Sequence, residues 1–165
     1  MRVLVMSDTH GWDENARYAV EKEMPFDALL HLGDVQEPET VFRRYAGIDK
    51  DIPAYFVEGN CDTYGAYPEK QILELAGHRI FMAHGHEYYV RFSRDLLEEE
   101  ALRESCDLAI YGHTHVPKLE TGDQGILILN PGSISIPRQE DRQPSYMVLE
   151  LKEGRVPYVT LKYLT

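Results

Sequence analysis

The first third of the chain alternates short apolar runs with segments of helical periodicity. Apolar runs at residues 2–6, 27–32 and 52–57 have the length of buried strands. Between them, residues 13–23 and 38–45 carry apolar side chains three and four positions apart, which is the spacing of a helix that buries one face. Repeated strand–helix units predict parallel strands joined by right-handed crossovers.

The rest of the chain combines hairpins with one helix. Residues 92–104 predict that helix, and its run of glutamates at 98–100 is expected to face solvent. The other apolar runs predict strands at residues 70–75, 79–83, 108–111, 118–121, 125–129, 146–151 and 156–163. Two mixed sheets packed face to face, with the helices outside, would bury all of these strands. The sequence therefore predicts an α/β fold.

The composition is that of a globular protein. A chain of 165 residues with 43% hydrophobic residues is expected to form a single domain over residues 1–165. No apolar run approaches the roughly 20 residues of a membrane helix, and the run before Asp8 is too short for a signal peptide. We therefore expect a cytoplasmic protein without a membrane partner. The net charge of −11 argues against binding of long nucleic acid, which requires basic patches.

Polar clusters of metal-binding residue types follow the predicted strands. In chain order they read Asp8-Thr9-His10, Gly33-Asp34, Gly59-Asn60-Cys61-Asp62, His84-Gly85-His86 and Gly112-His113-Thr114-His115. Sites in open α/β sheets lie at the carboxyl ends of the strands, so these side chains are expected to meet. Imidazole and carboxylate groups are suitable ligands for transition-metal ions, and the pattern therefore predicts a metal site.

The number of donors exceeds what one ion needs. A transition-metal ion takes about four to six donors. The clusters offer seven without His86, namely Asp8, His10, Asp34, Asn60, His84, His113 and His115. The surplus predicts two ions, and ions about 3.5–4 Å apart require a bridging carboxylate. Asp34, which follows the middle strand, is the natural bridge.

In order and spacing, these clusters resemble the five motif blocks of the calcineurin-like metallophosphoesterase superfamily. The resemblance covers essentially the whole chain. The chain length and the loop Asn130-Pro131-Gly132-Ser133 are similar to those of its small single-domain branch of bacterial and archaeal phosphodiesterases. The resemblance implies a four-layer α-β-β-α sandwich and a centre with two metal ions.

The resemblance also implies which residues hold each ion and what they do. Asp8, His10 and His115 would hold the first ion. Asn60, His84 and His113 would hold the second, with Asp34 shared between them. Two divalent transition-metal ions are expected, with Mn²⁺ first and Ni²⁺, Zn²⁺ or Fe as alternatives. Together they would clamp a phosphate and activate a hydroxide that attacks phosphorus in line.

Cys61 departs from the pattern of the family. Many members carry histidine at this position, where it helps to protonate the leaving group. A neutral thiol is a poor general acid, so Cys61 favours substrates with good leaving groups or an acid supplied elsewhere. His86 is a candidate for that acid, and the alternative role for His86 is to hold a neighbouring ligand in place. Asp62 is expected to orient its neighbours.

Other polar and aromatic residues have simpler interpretations. His31 lies within an apolar run and is expected to be a hydrogen-bonded core histidine. His78 is expected to be an exposed hairpin residue. Trp12 and Tyr64 follow two of the polar clusters, and they either line a substrate cleft or pack at its rim.

Three functions are compatible with these features. The first is a metal-dependent phosphoesterase, specifically a phosphodiesterase acting on small phosphodiesters or nucleotides. The second is a non-catalytic protein-binding scaffold resembling the small retromer subunit, which is disfavoured because all seven ligand positions are intact. The third is a DNA nuclease, for which a basic groove and extra capping regions are missing from the pattern. The predicted hairpins have edge strands that are compatible with pairing between two copies of the chain, and therefore with a homo-oligomer.

Overall fold

Two five-stranded sheets form the framework of the computed structural model, which describes residues 1–164. The strands are β1 (Arg2–Met6), β2 (Ala28–His31), β3 (Ala54–Phe56), β4 (Lys70–Leu75), β5 (His78–Ala83), β6 (Leu108–Ile110), β7 (Lys118–Thr121), β8 (Leu127–Asn130), β9 (Ser145–Glu150) and β10 (Tyr158–Tyr163). The helices are α1 (Glu14–Glu23), α2 (Glu39–Ala46) and α3 (Asp95–Arg103), and short 3-10 turns span His86–Tyr88 and Asp123–Gly125.

Both sheets are mixed, as predicted. The first has the order β10-β9-β1-β2-β3, in which β1, β2 and β3 are parallel. The second has the order β4-β5-β6-β8-β7, in which β5, β6 and β8 are parallel. Parallel strands deliver their carboxyl ends to the same edge, so each sheet presents a row of loops at one end.

The alternation of side chains in β1 explains the layering. Val3 and Val5 point into the cluster between the two sheets, where they meet Ile80 and Met82 of β5. Leu4, on the opposite face of β1, packs in the cluster beneath α1 and α2. A third cluster lies between α3 and the second sheet. These three interfaces confirm the four-layer α-β-β-α arrangement.

The helix predicted at residues 92–104 begins later than expected, at Asp95. Phe92 lies in the preceding loop with 87% of its surface exposed. The prediction that the glutamates at 98–100 all face solvent is wrong for Glu100, which is buried. Its carboxylate pairs with Lys70 Nζ at 2.6 Å and with Arg103, so its charge is compensated within the fold.

His78 is also placed differently from the prediction. It begins β5 and is buried, with Nδ1 2.5 Å from Asp107 Oδ2 and Nε2 3.2 Å from the Lys152 carbonyl. The turn before β5 is therefore shorter than the sequence predicted. The His78 side chain connects the start of β5 to Asp107 and to Lys152.

No helix within residues 1–164 has the length and apolar character needed to cross a membrane.

His31 is a core histidine, as expected. It is fully buried, its ring stacks on Phe56 at a centroid distance of 5.6 Å, and its Nε2 lies 3.2 Å from Thr9 Oγ1. Its Nδ1 has no hydrogen-bond partner, so only one of the two ring nitrogens is hydrogen-bonded. Burial lowers the pKa of His31 to about 3, and the ring is neutral at physiological pH.

Candidate metal centre

Four side chains from three loops converge where the parallel strands end. Asp8, His10, Asp34 and His115 each contribute one donor atom, and these atoms all lie within 4.8 Å of one another. Asp8 and His10 follow β1 and Asp34 follows β2, whereas His115 follows β6 of the opposite sheet. Both sheets therefore supply donors to one site.

The individual distances define a compact donor set. His115 Nε2 lies 3.0 Å from Asp8 Oδ1 and 3.4 Å from His10 Nε2. His10 Nε2 lies 3.5 Å from Asp34 Oδ2. Two carboxylates and two imidazoles at this spacing form a mixed oxygen and nitrogen environment of the kind that first-row divalent metals accept.

His84 extends this set on the other side of Asp34. Its Nε2 lies 3.5 Å from Asp34 Oδ2, the same separation as that of His10 Nε2 from this oxygen. The His113 ring lies beyond it, with a centroid distance of 5.1 Å from His84. Two imidazole nitrogens thus lie at the same distance from one carboxylate oxygen of Asp34.

The loop that carries Asn60 lies against the Asp34 carboxylate. The next residue, Cys61, donates a backbone hydrogen bond of 2.8 Å to Asp34 Oδ1, so the loop that carries Asn60 lies directly against that carboxylate. The side-chain amide of Asn60 is exposed and donates to Cys61 Sγ at 3.3 Å.

The tautomers of two histidines suit metal ligation. His84 Nδ1 and His115 Nδ1 each lie 2.6 Å from a backbone carbonyl, that of Leu32 and that of Ile136. A carbonyl oxygen only accepts, so both Nδ1 atoms donate, and both Nε2 atoms face the site. Such backbone contacts orient metal-binding imidazoles.

Two buried polar atoms at the centre lack hydrogen-bond partners, namely Asp8 Oδ1 and His84 Nε2. They lie 4.0 Å apart, and both side chains are fully buried. A buried carboxylate oxygen and a buried ring nitrogen are costly without a partner, and a cation coordinated by both would remove that cost. The residues present therefore fit a metal ion.

The protonation states of most of the cluster favour cation binding. Burial raises the pKa of Asp8 and of Asp34, but the neighbouring histidines outweigh this effect and keep both pKa values below the ordinary range. Burial lowers the pKa of His10, and burial together with the positive charges of His84 and Arg91 lowers the pKa of His113 to about 4. Metal ligation requires charged carboxylates and neutral imidazoles.

His84 behaves differently in the absence of a cation. Burial opposes its charging, but Asp34 and Asp8 outweigh that effect and raise the pKa of His84 to about 9. Nε2 of His84 then carries a proton near both carboxylates. A metal ion that binds to Nε2 would have to displace this proton.

The backbone is strained at the predicted ligands. Asp8, His10, Asp34, His113 and His115 have φ values of +58°, +50°, +55°, +64° and +59°. The left-handed region is uncommon for residues other than glycine, and such residues cluster at functional sites. Gly33 precedes Asp34 with φ +93°, and a Cβ there would lie 2.7 Å from His84 Nδ1, so the close approach of the two loops requires glycine.

Asp62 orients its neighbours, as expected. Its carboxylate accepts backbone hydrogen bonds from Asp34 at 2.9 Å, Gln36 at 2.6 Å and Gly59 at 2.7 Å. These bonds join the loops that follow β2 and β3.

Sequence reasoning missed the organising role of the 130–133 loop. Asn130 is fully buried, and its Nδ2 donates to the Gly112 carbonyl at 2.8 Å and to Thr114 Oγ1 at 3.0 Å. Ser133 Oγ donates to the Asp8 carbonyl at 2.8 Å and accepts from the backbone N–H of Ile136 at 2.7 Å. The signal in the sequence is a loop of uncharged polar and turn residues directly after a buried strand.

The two candidates for leaving-group chemistry lie near the centre. Partial burial and the Asp34 carboxylate raise the pKa of Cys61 to about 11, so its thiol stays protonated at neutral pH. The His86 ring is half-buried and lies 5.5 Å from the His84 ring and 6.0 Å from the His113 ring. Its Nδ1 is 3.2 Å from Glu87 Oε2.

Sequence comparisons find matches along most of this chain. The family model of the calcineurin-like phosphoesterase superfamily domain matches residues 1–154. Phosphodiesterase YfcE of Escherichia coli K12 is 37% identical over 161 residues, which cover 84% of this chain and 82% of that protein.

Solved structures show the same fold. A Streptococcus pneumoniae protein described as a predicted phosphoesterase superimposes with a TM-score of 0.81 and 32% identity, covering 99% of this chain and 88% of the other. Vacuolar Protein Sorting 29 from Cryptosporidium parvum has a TM-score of 0.74 at 24% identity, with 99% and 97% covered, and this likeness concerns the fold alone.

Proposed function

The chain belongs to the calcineurin-like phosphoesterase superfamily, and we propose that it is a metal-dependent phosphodiesterase acting on small phosphodiesters or nucleotides. The observation that carries this proposal is the convergence of Asp8, His10, Asp34 and His115 within 4.8 Å. The relationship to a bacterial phosphodiesterase supports a diester as the substrate.

We propose that the centre holds two divalent ions. Asp8, His10 and His115 would hold the first, and Asn60, His84 and His113 would hold the second. Asp34 would be shared, and its position between His10 Nε2 and His84 Nε2 supports this role. The oxygen and nitrogen donors suit Mn²⁺, and they are also compatible with Ni²⁺, Zn²⁺ or Fe.

Bound ions would supply Lewis-acid polarisation of the phosphate and lower the pKa of a water that attacks phosphorus. The protein's own contribution is positioning. The carbonyls of Leu32 and Ile136 fix two imidazoles in the required orientation. The Cys61 backbone N–H holds one oxygen of Asp34, which leaves the other directed at the histidines.

We propose that His86 protonates the leaving group and that Cys61 only donates a hydrogen bond to it. The half-burial of the His86 ring and its distance of 6.0 Å from the ring of His113, a proposed ligand, support this role. The Cys61 thiol keeps its proton and serves as a weak hydrogen-bond donor only. The enzyme should therefore depend less on His86 when the leaving group is an activated phenolate.

The test is hydrolysis of bis(p-nitrophenyl) phosphate and p-nitrophenyl phosphate by protein stripped with a chelator and reloaded with Mn²⁺, Ni²⁺, Zn²⁺ or Mg²⁺. We expect turnover that depends on the metal and favours the diester. A preference for the monoester contradicts the phosphodiesterase proposal. Two ions bound per chain without turnover of either ester would favour the protein-binding scaffold instead.

A further inference from the structure

A polar cavity lies between the loop that follows β1 and the loop that follows β2. It has a volume of about 420 Å³ and is lined by Gly11, Asp13, Glu14, Arg17, Glu37 and Tyr45. Three of these six residues carry carboxylates, and none of the six is a histidine or a cysteine. The ligand atoms that this cavity offers to a cation are therefore oxygens, in contrast to the mixed oxygen and nitrogen donors of the candidate metal centre.

The Asp13 side chain is buried without a partner at this cavity. Asp13 is the N-cap residue of α1, and only 8% of its surface is exposed. An N-cap aspartate normally accepts a hydrogen bond from a backbone N–H of the first helical turn, but the Asp13 carboxylate makes no such bond. Its Oδ1 is buried and has no hydrogen-bond partner among residues 1–164. The carboxylate thus faces the cavity instead of the helix.

Glu37 contributes a second carboxylate to the cavity. Its Oε1 is also buried, and no hydrogen-bond donor of the described chain reaches it. The backbone around it is fixed, because the Tyr67 hydroxyl donates to the Glu37 carbonyl at 2.6 Å. The two loops are joined as well, since the Gly11 N–H donates to the Val35 carbonyl at 3.0 Å. Two carboxylates without donors therefore project from an ordered backbone.

The negative charge of this pair is not compensated within residues 1–164. Neither Asp13 nor Glu37 forms an ion pair there, and Arg17, which also lines the cavity, pairs with Glu21 Oε1 at 2.9 Å. Burial raises the pKa of both carboxyl groups, and contact with Asp13 contributes to the value of about 8 for Glu37. The two groups are thus close enough to share a proton. A buried carboxylate pair is costly, and either a shared proton or a cation removes that cost.

The donor chemistry selects the class of ion. Carboxylate and water oxygens suit hard cations, and Mg²⁺ in particular binds through one or two carboxylates while it keeps several waters. The cavity has room for those waters, and the exposed Tyr45 leaves it open to solvent. We propose that Asp13 and Glu37 bind a hydrated Mg²⁺ ion, which joins the loops after β1 and β2 and is distinct from the ions proposed for the centre. This inference does not depend on the proposed phosphodiesterase function.

The test is thermal unfolding of the chelator-stripped protein in MgCl₂ and in NaCl of equal ionic strength. The NaCl sample controls for screening of the net charge of −11. We expect Mg²⁺ at about 10 mM to raise Tm by about 3 °C more than NaCl does. Asp13→Asn and Glu37→Gln should each remove most of this increment. Glu140→Gln, in an exposed loop, is the matched control and should retain it.

Asp34→Asn separates this site from the metal centre. The Mg²⁺ increment should persist in Asp34→Asn, and the addition of Glu37→Gln to that variant should remove it. An increment that persists in both Asp13→Asn and Glu37→Gln would overturn the inference, as would equal Tm values of the wild-type protein in MgCl₂ and NaCl. An increment that is lost in Asp34→Asn and kept in Glu37→Gln would assign Mg²⁺ to the centre. A larger increment with Ca²⁺ than with Mg²⁺ would overturn the choice of ion.

Discussion

The backbone N–H of Cys61 donates a hydrogen bond of 2.8 Å to Oδ1 of Asp34. This bond assigns the two oxygens of the carboxylate to different partners. Oδ1 is held by the loop after β3, and Oδ2 faces His10 and His84 at 3.5 Å each. The backbone thus holds Oδ1 of Asp34 in place, and Oδ2 is directed at the two imidazoles.

Asp34→Asn should abolish most activity, because the amide retains the shape of the side chain and loses the charge between two imidazoles. We expect kcat/KM to fall at least about 100-fold, a larger loss than removal of an outer partner of a ligand causes. Diester hydrolysis and metal stoichiometry measure the effect. Glu99→Gln, on the exposed face of α3, is the control for loss of one negative charge. Full turnover by Asp34→Asn would reject the shared-ligand assignment.

Ser133→Ala should weaken metal binding, since it removes a hydrogen bond to the Asp8 carbonyl and an acceptor for the Ile136 N–H. We expect about a tenfold lower affinity for Mn²⁺ by calorimetry. Ser135→Ala is a close control, because the Ser135 hydroxyl donates to the Trp12 carbonyl in an exposed position. If both variants bind Mn²⁺ as the wild type does, the hydroxyl of Ser133 has no organising role.

Metal affinity should rise with pH up to about 9. The carboxylates raise the pKa of His84 to about 9 in the metal-free protein, so below that pH an entering ion displaces one proton. The affinity for Mn²⁺ should increase about tenfold per pH unit between pH 7 and 8.5. Calorimetry in buffers of different ionisation enthalpy counts the released protons. An affinity that is constant over this range would contradict the assignment.

Stability of the metal-free protein should fall as the pH rises toward 8, and Glu37→Gln should reduce this dependence, whereas the raised pKa of His84 should preserve the remainder. Burial and the neighbouring Asp13 carboxyl raise the pKa of Glu37 to about 8, well above its unfolded value. The folded state then binds more protons than the unfolded state between these two pKa values, so the free energy of unfolding decreases across that interval. Thermal unfolding of the metal-free protein at pH 5 and pH 8.5 measures it. Glu140→Gln, in an exposed loop, should keep the wild-type dependence.

The strand ends were predictable because each apolar run stops at a polar cluster. The length of the run at residues 2–6 and the abrupt change at Asp8 define the end of β1, and the same logic holds for Asp34 and His115. Parallel connections bring the ends of β1 and β2 to one edge, and the packing of the two sheets then adds the end of β6 with His115. The convergence of the donors followed from local patterns and topology.

Other features depend on contacts that no local pattern reveals. Asn130 reaches Gly112 and Thr114 across the second sheet, so its role is visible only in three dimensions. The start of α3 was misplaced because Phe92 fits the helical period, whereas residues 89–92 form a turn that contains the left-handed residue Tyr89 and in which the Phe92 N–H donates to the Tyr89 carbonyl. Periodicity identifies apolar positions, but it does not report the sign of a φ angle.

The division of ligands between the two sheets has a consequence for biosynthesis. Asp8, His10 and Asp34 leave the ribosome early, but His115 emerges only after the second sheet has been partly synthesised. β1 also acquires its antiparallel neighbour β9 only when residues 145–150 are available. A nascent chain therefore lacks the complete donor set until most of its length exists, and the proposed metal binding would be a late step of maturation that follows docking of the two sheets.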